Sequence, residues 1–185
     1  QSCPPVNSLF PLDYNRDSTS YRITHYISDS SQSPVLIDSM VSVQKFYNYF
    51  AYDDGTPELA YGVAASGSAV AYQFKLNTPD TLRSVLIYFN QGSFQQTAYF
   101  NLMVWRNNNG KPGEIIYRQN DIPIKAPSGL YTFTNYKLDT TLLVSGTFFV
   151  GYEQPNQNLI VGFDANHDAG DKIFYNAGNQ WYSSQ

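Results

Sequence analysis

Three carboxylates fall within six residues in the run Asp53-Asp54-Gly55-Thr56-Pro57-Glu58. Oxygen ligands crowded beside a glycine are what a hard cation such as Ca²⁺ takes. A second acidic run, Asp164-Ala165-Asn166-His167-Asp168-Ala169-Gly170-Asp171, opens with the Asp-x-Asn-x-Asp pattern of an EF-hand loop. It departs from that pattern at its twelfth position, which is Tyr175 where a bidentate Glu is needed, and no helical pattern flanks it. A Ca²⁺ loop of another kind stays open at Asp53, Asp54, Glu58, Asp164, Asn166, Asp168 and Asp171. The competing account needs no ion, because Asp and Asn cap turns by accepting hydrogen bonds from their own backbone.

Hydrolytic chemistry is harder to assemble. It needs a nucleophile with a base, or a raised-pKa acid beside a carboxylate. The two histidines, His25 and His167, are far apart, and His25 lies in an alternating, strand-like run. No Gly-x-Ser-x-Gly elbow occurs. One cysteine, Cys3, and two isolated histidines make no zinc pattern. Asp54 and Glu58 are the nearest approach to a glycosidase pair, but such pairs must flank a substrate. Catalysis is therefore not expected.

The aromatic residues offer a third chemistry. Trp105, Tyr152, Tyr175, Trp181 and Tyr182 have the flat rings on which sugar C–H faces stack, with abundant Asn and Gln to bond hydroxyls. Sandwich cores also use aromatics heavily, and Trp105 sits in a strongly alternating run where a core position is the simpler account. Trp181 and Tyr182, outside the long strand patterns, are the better platform.

These residues must be positioned by strands. Aromatics make up 16% of the 185 residues and charged residues only 14%, a composition suited to pleated, half-buried surfaces. Period-two alternation recurs through Tyr21 to Ile27, Ser68 to Asn77, Thr81 to Asn90 and Ala98 to Arg106. Further strands are expected over Glu114 to Gln119, Leu130 to Leu138, Thr147 to Glu153, Leu159 to Phe163 and Lys172 to Tyr175. Turn chemistry separates them, most densely in Asn107-Asn108-Asn109-Gly110-Lys111-Pro112-Gly113. The best helical candidate, Leu36 to Phe46, is weakened by its Ser and Val residues. The pattern predicts an all-β fold, a two-sheet antiparallel β-sandwich of jelly-roll-like form. Residues 1–45 read as an N-terminal strand and linker segment, either part of the same fold or the tail of a preceding domain, with 28–34 as the linker, and residues 46–185 as the sandwich.

Net charge is −4 with the cations scattered singly, which argues against a nucleic-acid or anionic-membrane partner. No apolar run approaches the length of a bilayer span. Gln1 opens a polar segment without the basic start and apolar core of a signal peptide, as expected of a mature or excised chain.

A set of motifs resembles a known family. It comprises Phe50-Ala51-Tyr52-Asp53-Asp54-Gly55-Thr56-Pro57-Glu58 with Tyr61-Gly62, Phe100 to Arg106 leading into Asn109-Gly110-Lys111-Pro112-Gly113-Glu114, Gly146 to Tyr152, and Val161-Gly162-Phe163-Asp164. Together these resemble β-sandwich modules of large secreted or surface proteins of Bacteroidetes, often associated with type IX secretion. The resemblance implies a jelly-roll-like sandwich, an extracellular or cell-surface location, and neighbouring domains of a larger protein as partners. It implies no activity. It also implies one further strand after Trp181, and here the sequence departs from the family by stopping at Gln185, which leaves either an incomplete final sheet or a fold closed by the N-terminal strands. The expected function is a non-catalytic module for adhesion or presentation. A carbohydrate-binding module and a hydrolase or hydrolase accessory domain are the alternatives.

Overall fold

The computed structural model describes residues 16, 18–28, 37–90, 98–125, 127–155, 157–167, 169–178 and 180–184. Cys3, Asp168 and most of the expected linker lie outside them. The chain divides into two compact units, Gln1–Phe50 and Ala51–Gln185. Among the described residues no helix is long and apolar enough to cross a membrane.

The first unit contains one antiparallel ribbon, β1 (Ser18–Ser28) with β2 (Ile37–Tyr47), paired without a bulge from Ser18↔Tyr47 to Ser28↔Ile37. The weak helical candidate is thus a strand. Val41 and Val43 are stiff at χ1, and Ser39 and Ser42 compete with a helical backbone, so the extended form wins.

The second unit is an all-β sandwich. Its strands are β3 (Leu59–Gly62), β4 (Ala69–Lys75), β5 (Asp80–Ile87), β6 (Tyr99–Asn108), β7 (Lys111–Pro123), β8 (Thr134–Val144), β9 (Thr147–Glu153), β10 (Ile160–Phe163), β11 (Ile173–Asn176) and β12 (Tyr182–Ser183). Four antiparallel pairs nest inside one another: β6 with β7, β5 with β8, β4 with β9, and β3 with β10. This is one long hairpin ribbon, rolled so that its rungs fall alternately into two layers, which is the jelly roll. One layer runs β12-β11-β4-β9-β6-β7. In the other, the chain beyond β5 links the two remaining pairs. Asn90 N–H donates to Ile160 O (2.8 Å), and Gly162 N–H donates to Tyr88 O (2.8 Å).

The tip of the ribbon is the two-residue turn Asn109-Gly110, with φ of 51° and 83°. Positive φ at both positions is the type I′ geometry that matches strand twist, which is why Asn-Gly sits there. The sequence reading extended this turn through Pro112 and Gly113 and began the strand at Glu114. Both residues instead belong to β7. Pro112 is tolerated because β7 is an edge strand.

The core lies between the layers. Phe100, Leu102 and Tyr152 pack with Phe89, Tyr136 and Leu138 across the sandwich. Phe100 and Tyr136 meet edge to face at 4.8 Å. The six-stranded layer is apolar on its outer face too, where Ala69, Ala71, Met103, Trp105, Phe149 and Phe174 form a second cluster with Trp181 against it. Gly151 makes the close pairing of β4 and β9 possible, since a Cβ there would lie 1.9 Å from the Val70 carbonyl oxygen.

Candidate functional site

The register of β3 with β10 builds the site. Leu59 faces Phe163 at the last pair of that ladder. The residues just beyond, Glu58 and Asp164, are therefore brought side by side, and the two acidic runs of the sequence become neighbouring loops. The contacts between them are hydrogen bonds to carboxylates, from two backbone N–H groups and one side-chain amide. Asp54 N–H donates to Asp164 Oδ2 (3.0 Å), and Ala165 N–H donates to Glu58 Oε2 (3.1 Å). Asn166 Nδ2 donates to Glu58 Oε1 (2.7 Å).

Each loop is also tied to itself. Asp164 Oδ1 accepts from the backbone N–H groups of Asn166 (2.7 Å) and His167 (3.1 Å), and Oδ2 lies 2.9 Å from His167 Nδ1. Asp53 Oδ1 caps Gly55 N–H (3.0 Å), and Asp54 Oδ1 caps Thr56 N–H (2.9 Å). The Thr56 hydroxyl lies between Asp54 Oδ1 (2.5 Å) and Glu58 Oε1 (3.3 Å). Asp53, Asp54 and Asp164 thus cap their own turns, while Glu58 and Asn166 bond across, and the contacts join two loops 110 residues apart in the chain.

Electrostatics follow from these bonds. The Asp164 side chain is 5% exposed. Burial raises its pKa, but donors from Asp54, Asn166 and His167 outweigh burial and hold it at about 2. The His167 imidazole is raised above its usual value by its hydrogen bond to Asp164 and by that residue's charge. Atoms of Asp54, Asp164 and His167 lie within 4.8 Å of one another, close enough to share an ion. Against that, their oxygens already accept N–H groups, which a cation would have to displace. Asp171 stands apart from the clasp and is paired with the Lys172 ammonium on a 3₁₀ turn, Gly170–Lys172.

Beside the clasp lies a cavity of about 70 Å³. Tyr52, Tyr72 and Phe133 give it aromatic walls, and Asp53, Asp164 and His167 give it polar ones. Tyr52 packs on Tyr72 and Phe74, with ring centroids 5.2 and 5.6 Å away. Burial and the nearby Asp53 charge push the Tyr72 phenol up, so it stays protonated. Gly162 lines the cavity at a close approach: a Cβ would lie 2.6 Å from Pro57 Cβ and 2.8 Å from Tyr88 Cδ1. Sequence reasoning missed Tyr72 and Phe133, which carry no local signal and reach the site only through the rolled topology.

The aromatic platform is corrected in part. Trp105 and Tyr152 are 3% exposed and belong to the two faces of the six-stranded layer, so neither ring can meet a sugar. Burial raises the Tyr152 phenol, whose oxygen has no hydrogen-bond partner among the described residues. Trp181 is partly buried edge-on against Trp105, with centroids 5.1 Å apart. Tyr182 alone of the four is half-exposed, stacked on Tyr175 at 5.6 Å. It adjoins an open groove of about 550 Å³ lined by Tyr61, Val63, Ala64, Tyr175, Ser183 and Ser184. One wall of that groove is held by Gln154, another residue without a sequence signal. Its Nε2 donates to the carbonyls of Val63 (2.6 Å) and Ala65 (2.7 Å), and its Oε1 accepts from Leu159 N–H (2.8 Å). Compared with known proteins, the chain matches no family model, no curated protein and no solved structure.

Proposed function

We propose that this chain is a non-catalytic jelly-roll module of a larger secreted or cell-surface protein, serving adhesion or presentation. The observation that carries the non-catalytic half is the use made of the carboxylates. Asp164 and Glu58 accept backbone N–H groups of the opposite loop, so they act as structural clamps. A general acid at neutral pH needs a raised pKa, whereas Asp164 is held at about 2. The Thr56 hydroxyl fills the space between Asp54 and Glu58 where a glycosidase would admit water or substrate. The surface half of the proposal is supported by the motif resemblance. The test is a panel of chromogenic glycosides and esters. No turnover is expected, and turnover abolished in Asp54→Ala would overturn the reading.

The groove favours a second reading, carbohydrate binding. It is open enough for an extended ligand, with the Tyr175–Tyr182 stack and the serine hydroxyls of Ser183 and Ser184 along it. A glycan array on the wild type and on Tyr182→Ala decides it. Binding lost in the variant supports the groove, and no binding to any glycan removes the idea.

A further inference from the structure

We propose that the cavity between Tyr52, Tyr72 and Phe133 binds a small methylated ammonium group. The argument starts from size. At about 70 Å³ the cavity is well below the roughly 300–1,000 Å³ of pockets that enclose whole ligands, so it takes a headgroup. Three aromatic residues, Tyr52, Tyr72 and Phe133, line it, and aromatic rings attract cations. Asp53 and Asp164 supply negative charge on the other side. The charge surrounding the cavity stays negative even with His167 protonated and with Lys172 counted, because Asp54, Glu58 and Asp171 add to it.

The kind of cation follows from what the carboxylates already do. A hard ion such as Ca²⁺ needs six to eight oxygen ligands. Here Asp164 accepts N–H groups on both oxygens, and the aromatic walls offer carbon where oxygen is required. A methylated ammonium makes the opposite demand. It is weakly hydrated, sheds water at little cost, packs its methyls on rings, and gains from carboxylates at a distance without displacing their donors. Tyr72 lines the cavity as a neutral phenol, its proton kept in place by burial and by the Asp53 charge. The inference rests on reading this region as a binding site and not a catalytic one. Turnover in the hydrolase panel would sink that reading while leaving the titration below to be judged separately.

The test is an amide NMR titration of the whole chain with choline chloride, with tetramethylammonium chloride, and with 3,3-dimethylbutan-1-ol, the uncharged isostere of choline. Both cations are expected to shift the Gly162 and Ala169 amides, with the isostere at least about tenfold weaker. Tyr52→Leu, which keeps apolar bulk without a ring, and Asp53→Asn, which keeps shape without charge, should each weaken binding roughly tenfold. Unchanged spectra elsewhere in the sheets certify that both variants are folded. Equal binding of the isostere, absence of shifts with both cations, or tighter binding of CaCl₂ at the same amides would each overturn the proposal.

Discussion

Replacing Gln154 with leucine tests the internal logic of the sandwich most sharply. Gln154 is 1% exposed and makes three side-chain hydrogen bonds, all to main-chain groups. Leucine has similar volume, so little cavity energy enters. What changes is that the Val63 carbonyl and the buried Leu159 N–H lose their partners, while the Ala65 carbonyl keeps the Ser68 N–H (3.2 Å). At about 1–3 kcal/mol for each orphaned group, with some relief from water on the groove side, the loss comes to about 2–4 kcal/mol. For a unit of about 135 residues this lowers the melting temperature by roughly 6–14 °C. Urea unfolding followed by tryptophan fluorescence measures it, with an unchanged m-value confirming a stability effect. Gln154→Glu sharpens the case, because its carboxylate faces two carbonyl oxygens. Its pKa is raised in the folded state, so the folded variant is favoured below the unfolded value and loses stability as pH rises through the folded one. A Gln154→Leu protein within about 1 kcal/mol of wild type would refute the accounting.

Other expectations are as concrete. Gly151→Ala places a methyl against the Val70 carbonyl and should cost at least about 1–3 kcal/mol by forcing β4 from β9, read by thermal melting. The clasp gives a two-sided pH dependence. Asp164 is depressed from 3.8 to about 2, so its contribution is complete above 3.8 and disappears as pH falls through about 2. His167 is raised from 6.5, so its contribution is complete below 6.5 and is lost as pH rises through the folded value. Asp164→Asn should flatten both limbs, and a variant that keeps the alkaline decline would contradict the pairing. Melts with Ca²⁺ and with chelator should coincide, since N–H groups already occupy the clasp oxygens; a stabilisation by Ca²⁺ would return the loops to the metal reading.

The long alternating strands were legible because both layers bury one face of each rung. The span of β9, Thr147–Glu153, emerged unchanged from the sequence pattern. β3 did not emerge: its four residues are mostly exposed and show no alternation. β12 is only two residues, too short for a period to register. The acidic residues were legible as chemistry but not as one place. Nothing local tells that Asp54 and Asp164 will touch, because their meeting is set by the pairing of Leu59 with Phe163. Trp105 was ambiguous for a different reason. Its strand is apolar on both faces, so alternation could not say which face met solvent, and Trp181 covers it.

The nested ribbon has a kinetic meaning. Its rungs span steadily longer stretches of chain, from the Asn109-Gly110 turn out to Leu59 and Phe163. Closing each outer rung costs more loop entropy than the last, and such non-local topologies fold in milliseconds to seconds. The order of assembly is thus written as a zipper that starts at the turn. The acidic clasp is its final tooth, formed last in folding and opened first in fluctuation. Hydrogen exchange should accordingly be fastest at the Asp54 and Ala165 amides and slowest at the centre of β6 and β9. A jelly roll built this way carries its acidic loops on the end of the fold that yields most readily, and a ligand seated there would act as a latch on the whole roll.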